Sequence, residues 1–357
     1  MTRTSVLAVG ALLWVAMPAG AGQTPGDASL VDLRTTVRQA QPPPAVQAPP
    51  APPVERPPLR RRGSMVGYID DAVIGTKVRV RFESGWNNDA PDRAEFFYAK
   101  CGCYASLLKP GDDGFDPEAP GPGPGAASRL NFKQAFVQGE LAVSDRVSLF
   151  AELPLRWIQP QAFIPASIPP TGETFGSQSG LGDLRGGVKF ALSSTDDRVV
   201  ALQLRGFFPT GKAGNGLGTN HATVEPALLM YHRLTDRASI ESQAGLWVPI
   251  GGSDGVPITV SESFAGNVFF YGIGPAFEVY RGPHVRFAPV VELVGWRVLG
   301  GFRSIGVDAS DDNIVNLKFG ARLSWEGGGS IYAGWGRALT DQRWYRDIFR
   351  VEYRHGF

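Results

Sequence analysis

The chain has 357 residues, and 35 Lys and Arg against 34 Asp and Glu leave a formal charge of +1. That balance excludes the basic surplus on which a nucleic-acid partner depends. Past the N-terminal region no run of 18 or more apolar residues occurs. This excludes a helical membrane span but not a closed barrel, whose strands pair all their backbone groups.

In chain order, residues 1–21 read as a secretory signal peptide. Arg3 supplies the positive start, Ser5 to Met17 an apolar stretch, and Ala19-Gly20-Ala21 a small-x-small cleavage site. The stretch is too short for a membrane anchor and ends in Pro and Gly. Residues 22–63 read as a disordered periplasmic leader. Its Pro42, Pro43, Pro44, Pro49, Pro50, Pro52, Pro53, Pro57 and Pro58 leave few donors for a ladder and favour an extended tether. Arg60-Arg61-Arg62 closes it, as a solvated charge run or a contact for anionic head groups.

From Val73 a period-two pattern sets in. Ile74, Thr76, Val78, Val80 and Phe82 face one way, and Lys77, Arg79, Arg81 and Glu83 the other. Similar ribbons follow at about 130–143, 147–157, 182–192, 199–208, 221–233, 238–250, 267–280, 285–298, 314–325 and 331–337. The last runs to Phe357, with Phe349, Val351 and Tyr353 alternating with Arg350, Glu352 and Arg354. Short turns such as Ser144-Asp145-Arg146 alternate with long Gly- and Asp-rich connections, of which 85–129 is the longest. Sandwich strands commonly span five or six residues; these run to about ten or more, the length of a tilted membrane strand. The expected fold is therefore all-β: a transmembrane antiparallel up-and-down β-barrel over residues 64–357. About 12 strands are expected, with 10 to 14 compatible with the pattern, short periplasmic turns and an extracellular loop at 85–129. Trp157, Trp247, Trp296, Trp325, Trp335, Trp344 and Tyr345 fall near strand ends and read as aromatic girdles.

Two segments carry a resemblance. Ser179-Gly180-Leu181-Gly182-Asp183 opens one strand, and Pro209-Thr210-Gly211-Lys212 ends the next. Together they resemble the outer-membrane transporter-like barrels labelled meta-pathway phenol-degradation proteins, over roughly residues 130–357. The resemblance implies a bacterial outer-membrane protein passing small, often aromatic or apolar, molecules, with no agreed catalytic set and no cofactor. The terminal Phe357 resembles the signal read by the barrel assembly machinery. The expected partners are that machinery, outer-membrane lipid and lipopolysaccharide, and a small-molecule solute. Alternative readings are a structural or surface-interaction barrel with a closed lumen, and a lipid hydrolase with a His on the lipid face.

The charged face of the ribbons carries the functional expectation. Arg79, Arg81, Glu83, Glu140, Glu152, Arg156, Asp183, Arg185, Lys189, Arg205, Arg286, Glu292, Arg322, Arg350 and Glu352 are the lumen-lining candidates. Strands lie about 4.8 Å apart, so opposite charges can pair along the wall. Such ladders either only solvate and stiffen the interior or form a polar constriction with a mild cationic excess. Arg350, Glu352 and Arg354 are expected to face Lys77, Arg79, Arg81 and Glu83 across the closure. Cys101 and Cys103, the only cysteines, form a possible strained disulfide, a metal pair or a redox site. No His lies near them to complete a metal site. The Gly-rich 211–218 stretch has its Lys before the glycines and does not match a phosphate-binding loop. Among His221, His232, His284 and His355, only His221 has a hydroxyl, that of Thr223, two residues on; no catalytic residue is assigned.

Overall fold

The computed structural model describes residues 63–89, 125, 127–165, 168–219, 221–251, 265–304 and 307–357. The expected signal peptide and leader up to Arg62, and Cys101 and Cys103 with most of the 85–129 segment, lie outside the described residues.

Twelve antiparallel strands form the barrel among the described residues: β1 Lys77–Asn88, β2 Ala127–Ala142, β3 Val147–Phe163, β4 Leu184–Ser194, β5 Arg198–Phe208 and β6 Ala222–Arg233, then β7 Ala238–Ile250, β8 Val268–Phe277, β9 Val285–Val298, β10 Asn313–Trp325, β11 Gly329–Ala338 and β12 Asp347–Gly356. Each pairs with the next in sequence. Gln178–Leu181 extends the line of β4 along β3. β12 pairs with β1 and closes the cylinder, with Arg81 opposite Glu352 and Glu83 opposite Arg350. Closure leaves no unpaired edge, the condition for backbone in a lipid environment. Among the described residues no helix is long and apolar enough to cross a membrane.

Alternation sorts the side chains. Val78, Val80 and Phe82 of β1, Leu149, Leu153 and Leu155 of β3 and Phe319 and Leu323 of β10 are exposed on the outer surface. An apolar surface of this extent is tolerated in lipid and not in water. Their strand neighbours Arg81, Glu152 and Arg322 are buried inside. Short connections gather at one end of the barrel, here the turn end, and long ones at the other, the loop end.

The first strand departs from expectation. β1 starts at Lys77 and not Val73, because residues 63–76 run inside the lumen as a plug. Met65, Val66, Ile69, Ala72 and Ile74 are all buried there. Val66 and Ile69 pack against Ala276, Val290 and Val294, inward residues of β8 and β9. Ala72 packs with Val199 and Leu229 of β5 and β6. An apolar alternation at 72–76 does not distinguish contact with lipid from contact with the inner wall. At its other end β1 continues to Asn88, so residues 85–88 belong to the strand and not to the loop.

Candidate functional site

A buried segment without sheet partners must satisfy its N–H and C=O groups some other way, and here wall side chains do it. Glu241 of β7 accepts the Met65 and Val66 amides at 2.8 and 3.4 Å. Glu292 of β9 accepts three successive amides, Gly67, Tyr68 and Ile69, at 3.0, 2.7 and 3.0 Å. Arg322 of β10 donates to the Met65 and Val66 carbonyls at 3.0 and 2.7 Å. Lys189 of β4 donates to the Asp71 carbonyl at 2.9 Å. The plug enters beside Arg354, bends at Gly67–Ile69, and returns to the turn end, where Lys77 binds the Asp71 carboxylate at 2.6 Å. At the bend, Tyr68 lies under two cations, with Lys318 Nζ and Arg350 Cζ at 3.7 and 3.9 Å from its ring centre.

Close approach at the bend demands small residues. A Cβ on Gly67 would stand 2.1 Å from the Tyr332 ring, and one on Gly274 2.8 Å from Val66 Cγ1. Tyr332 itself is fully buried and donates to Glu292 at 3.0 Å.

Between the plug and the loop end lies a cavity of about 210 Å³, floored by Gly67, Tyr68, Ile69 and Asp70. Its two sides differ in chemistry. One carries Arg79, Arg81, Arg156, Arg185 and Arg205 from β1, β3, β4 and β5. The guanidinium of Arg81 lies 4.1 Å over the Phe136 ring, and that of Arg185 lies 5.0 Å from both Phe136 and Phe207. The other side is aromatic. Trp344 stacks on Trp247 at 5.4 Å and meets Trp296 at 4.8 Å, and Phe270 lies 6.0 Å from Trp247. The two sides meet at Glu225, whose carboxylate bonds Arg205 at 3.3 Å and Trp247 Nε1 at 2.7 Å. From the floor, Asp70 presents its carboxylate to Arg205 and, at 3.3 Å, to Gln203. Asp70 and Asp71 sit on the plug and not on a membrane-spanning strand. Burial alone would raise their carboxyls, but Arg205, Arg79 and Lys189 around Asp70, and Lys77, Arg354 and Lys189 around Asp71, outweigh it and hold both below the usual range. A narrow recess of about 10 Å³ at the turn end, barely room for one water, shares Asp70 and Arg79 with the cavity and adds Lys189 and Arg354.

All fifteen charged residues singled out in the sequence point inward, and the structure divides them by task. Arg79, Arg81, Glu83, Arg156, Asp183, Arg185, Arg205 and Arg350 line the cavity. Glu292 and Arg322 hold the plug, and Glu352 ties Arg322 and Arg354 at 2.8 and 2.9 Å. Glu152 bridges Arg79, Arg81 and Arg185 at 3.5, 3.4 and 3.1 Å. Glu140 pairs with Lys189 at 2.9 Å. Arg286 sits near the turn end, 3.7 Å from Glu278.

Asp183 explains the two familiar segments. Its carboxylate accepts the Gly211 and Thr219 amides at 2.9 and 2.8 Å and the Thr219 hydroxyl at 3.0 Å. It thereby ties the connection after β5 to the entry of β4.

Four of the expected girdle residues are elsewhere. Trp247, Trp296, Trp344 and Tyr345 face the cavity, whereas Trp157 and Trp335 are exposed on the outside. Strand parity carried part of that signal. Trp247 stands six residues after the inward Glu241, and Trp296 four after Glu292, so each shares the inner face. Trp344 and Tyr345 lie in a connection and have no parity to read. Reading from sequence also missed Tyr68, Asp70 and Glu225. Glu225 is on the inward parity of β6 with Ala227, Leu229 and Tyr231; the plug residues have no such signal. His221 is buried with its Nδ1 2.8 Å from the Thr219 carbonyl and lines the cavity. It therefore cannot serve a lipid-face hydrolase. Phe357 is exposed past the end of β12, its amide bonded to Thr76 at 3.0 Å.

No family model matches the chain, and no curated protein matches it. Among solved structures, an outer membrane channel from Pseudomonas putida F1 is similar at 13% identity and a TM-score of 0.47, covering 80% of this chain and 96% of that one. The β domain of the Bordetella autotransporter BrkA is similar at 13% identity and 0.45, covering 79% and 100%. The NanC porin is similar at 8% identity and 0.42, covering 79% and 100%. At these scores none of them bears on what this chain does.

Proposed function

We propose that the chain is a bacterial outer-membrane channel for passive passage of small molecules, exported by its signal peptide. The observation that supports this reading most is the inverted barrel: an apolar outer belt around a charged lumen that holds a cavity. A barrel serving only as a scaffold has no need of so many desolvated guanidinium groups. Export and the outer-membrane address rest on the sequence features of residues 1–21 and on the belt.

The plug favours a second reading, a closed structural barrel. One experiment separates the two. The full chain, refolded and shown to be folded, is placed in a planar lipid bilayer. Passive passage requires ion conductance, with larger steps when Glu292→Ala weakens the plug. Silence from both folded proteins would leave the structural reading.

A further inference from the structure

We propose that the cavity binds a small aromatic carboxylate, and that Asp70 of the plug is its internal stand-in. The inference rests on the channel reading for its setting and names the class of solute. An acid group delivered by the chain itself occupies a guanidinium, Arg205, in a cavity shared with five further arginines. A carboxylate accepts such donors as charge-assisted bonds, the strongest class available here. The indole of Trp247 and the guanidinium of Arg205 are bonded to opposite oxygens of one Glu225 carboxylate. A flat ring carrying an acid group therefore meets both surfaces at once, with the ring against Trp247 and Trp344 and the acid on Arg205.

Entry of the solute exchanges one carboxylate for another. Released from Arg205, the Asp70 carboxylate still has Gln203 beside it and the positive charges of Arg79 and Lys189 nearby. The Glu292 and Glu241 contacts grip main-chain amides of residues 65–69 and do not involve the Asp70 side chain. The bend can stay anchored while the Asp70 carboxylate swings.

The test is a titration of the full-length folded protein, read by tryptophan fluorescence from Trp247, Trp296 and Trp344. Benzoate is the probe, with benzyl alcohol and acetate as controls for ring and charge. Benzoate should give a saturable change, and both controls should bind at least about tenfold more weakly. Asp70→Asn removes the competing charge and should tighten benzoate about tenfold, while Arg205→Gln should erase the preference of benzoate over benzyl alcohol. Equal binding of benzyl alcohol and benzoate, or an unchanged benzoate affinity in folded Asp70→Asn, overturns the proposal. Fluorescence reads binding without conduction. Benzoate binding by a silent barrel would sink the channel reading alone, and conductance without benzoate preference would sink this one alone.

Discussion

Glu292 shows how much one residue carries in this molecule. Its two oxygens take three consecutive plug amides and the Tyr332 hydroxyl. Hydrogen bonds to a charged group contribute about 1.5–3 kcal/mol each, and losing one partner leaves the others desolvated. Glu292→Gln keeps the shape and removes the charge. Amide hydrogen exchange at Gly67, Tyr68 and Ile69 should then quicken by about tenfold or more, since 1.4 kcal/mol is one decade. Unchanged protection would show that packing of Val66 and Ile69, and not the carboxylate, holds the bend. Glu292 was legible as an inward charge from its place in β9. Its task was not, because the plug groups it holds are backbone amides 223 to 225 residues away, which leave no side-chain signature.

At the scale of elements, the plug and strand β8 are fitted by what they lack. Gly67 lies on the Tyr332 ring, and Gly274 leaves room for Val66. Gly67→Val places a branched side chain where ring carbons stand, and overpacking of a tight interior typically costs about 1–3 kcal/mol. The plug should leave the lumen while the barrel ladder stays intact. A cysteine placed at Ile69 would then react with a water-soluble maleimide in Gly67→Val and stay protected otherwise. Tyr332→Ala should restore part of the protection in the double variant, whereas equal labelling with and without Gly67→Val would refute the steric account. The strands were legible because alternation is local and has period two. The plug was hidden by the same rule: Ala72, Ile74 and Thr76 alternate like the start of a strand.

Over the whole molecule, lipid and lumen exchange the usual roles of outside and inside. Val80 faces outward between Val137 and Tyr353, its register partners on β2 and β12. An arginine on the lipid face costs about 2–4 kcal/mol at the bilayer midplane. Val80→Arg should lower unfolding stability in lipid vesicles by about that amount and leave the cavity's solute preference alone. A loss below about 0.5 kcal/mol would mean that β1 does not meet hydrocarbon at Val80. The amino-acid order alone was enough for the twelve strands, for the parity that sends Arg81 inward and Val80 outward, and for the seam in which Arg350 and Glu352 face Glu83 and Arg81. The strands and their parity depend on neighbours two residues apart, and the seam follows from closing an antiparallel ladder of such strands on itself. Only the folded barrel brings residues 63–76 into the lumen, turns Trp344 and Tyr345 inward from their connection, and sets Asp70 on Arg205. Those placements depend on contacts between distant segments, and the wall accepts the plug through main-chain amides that every residue but proline possesses.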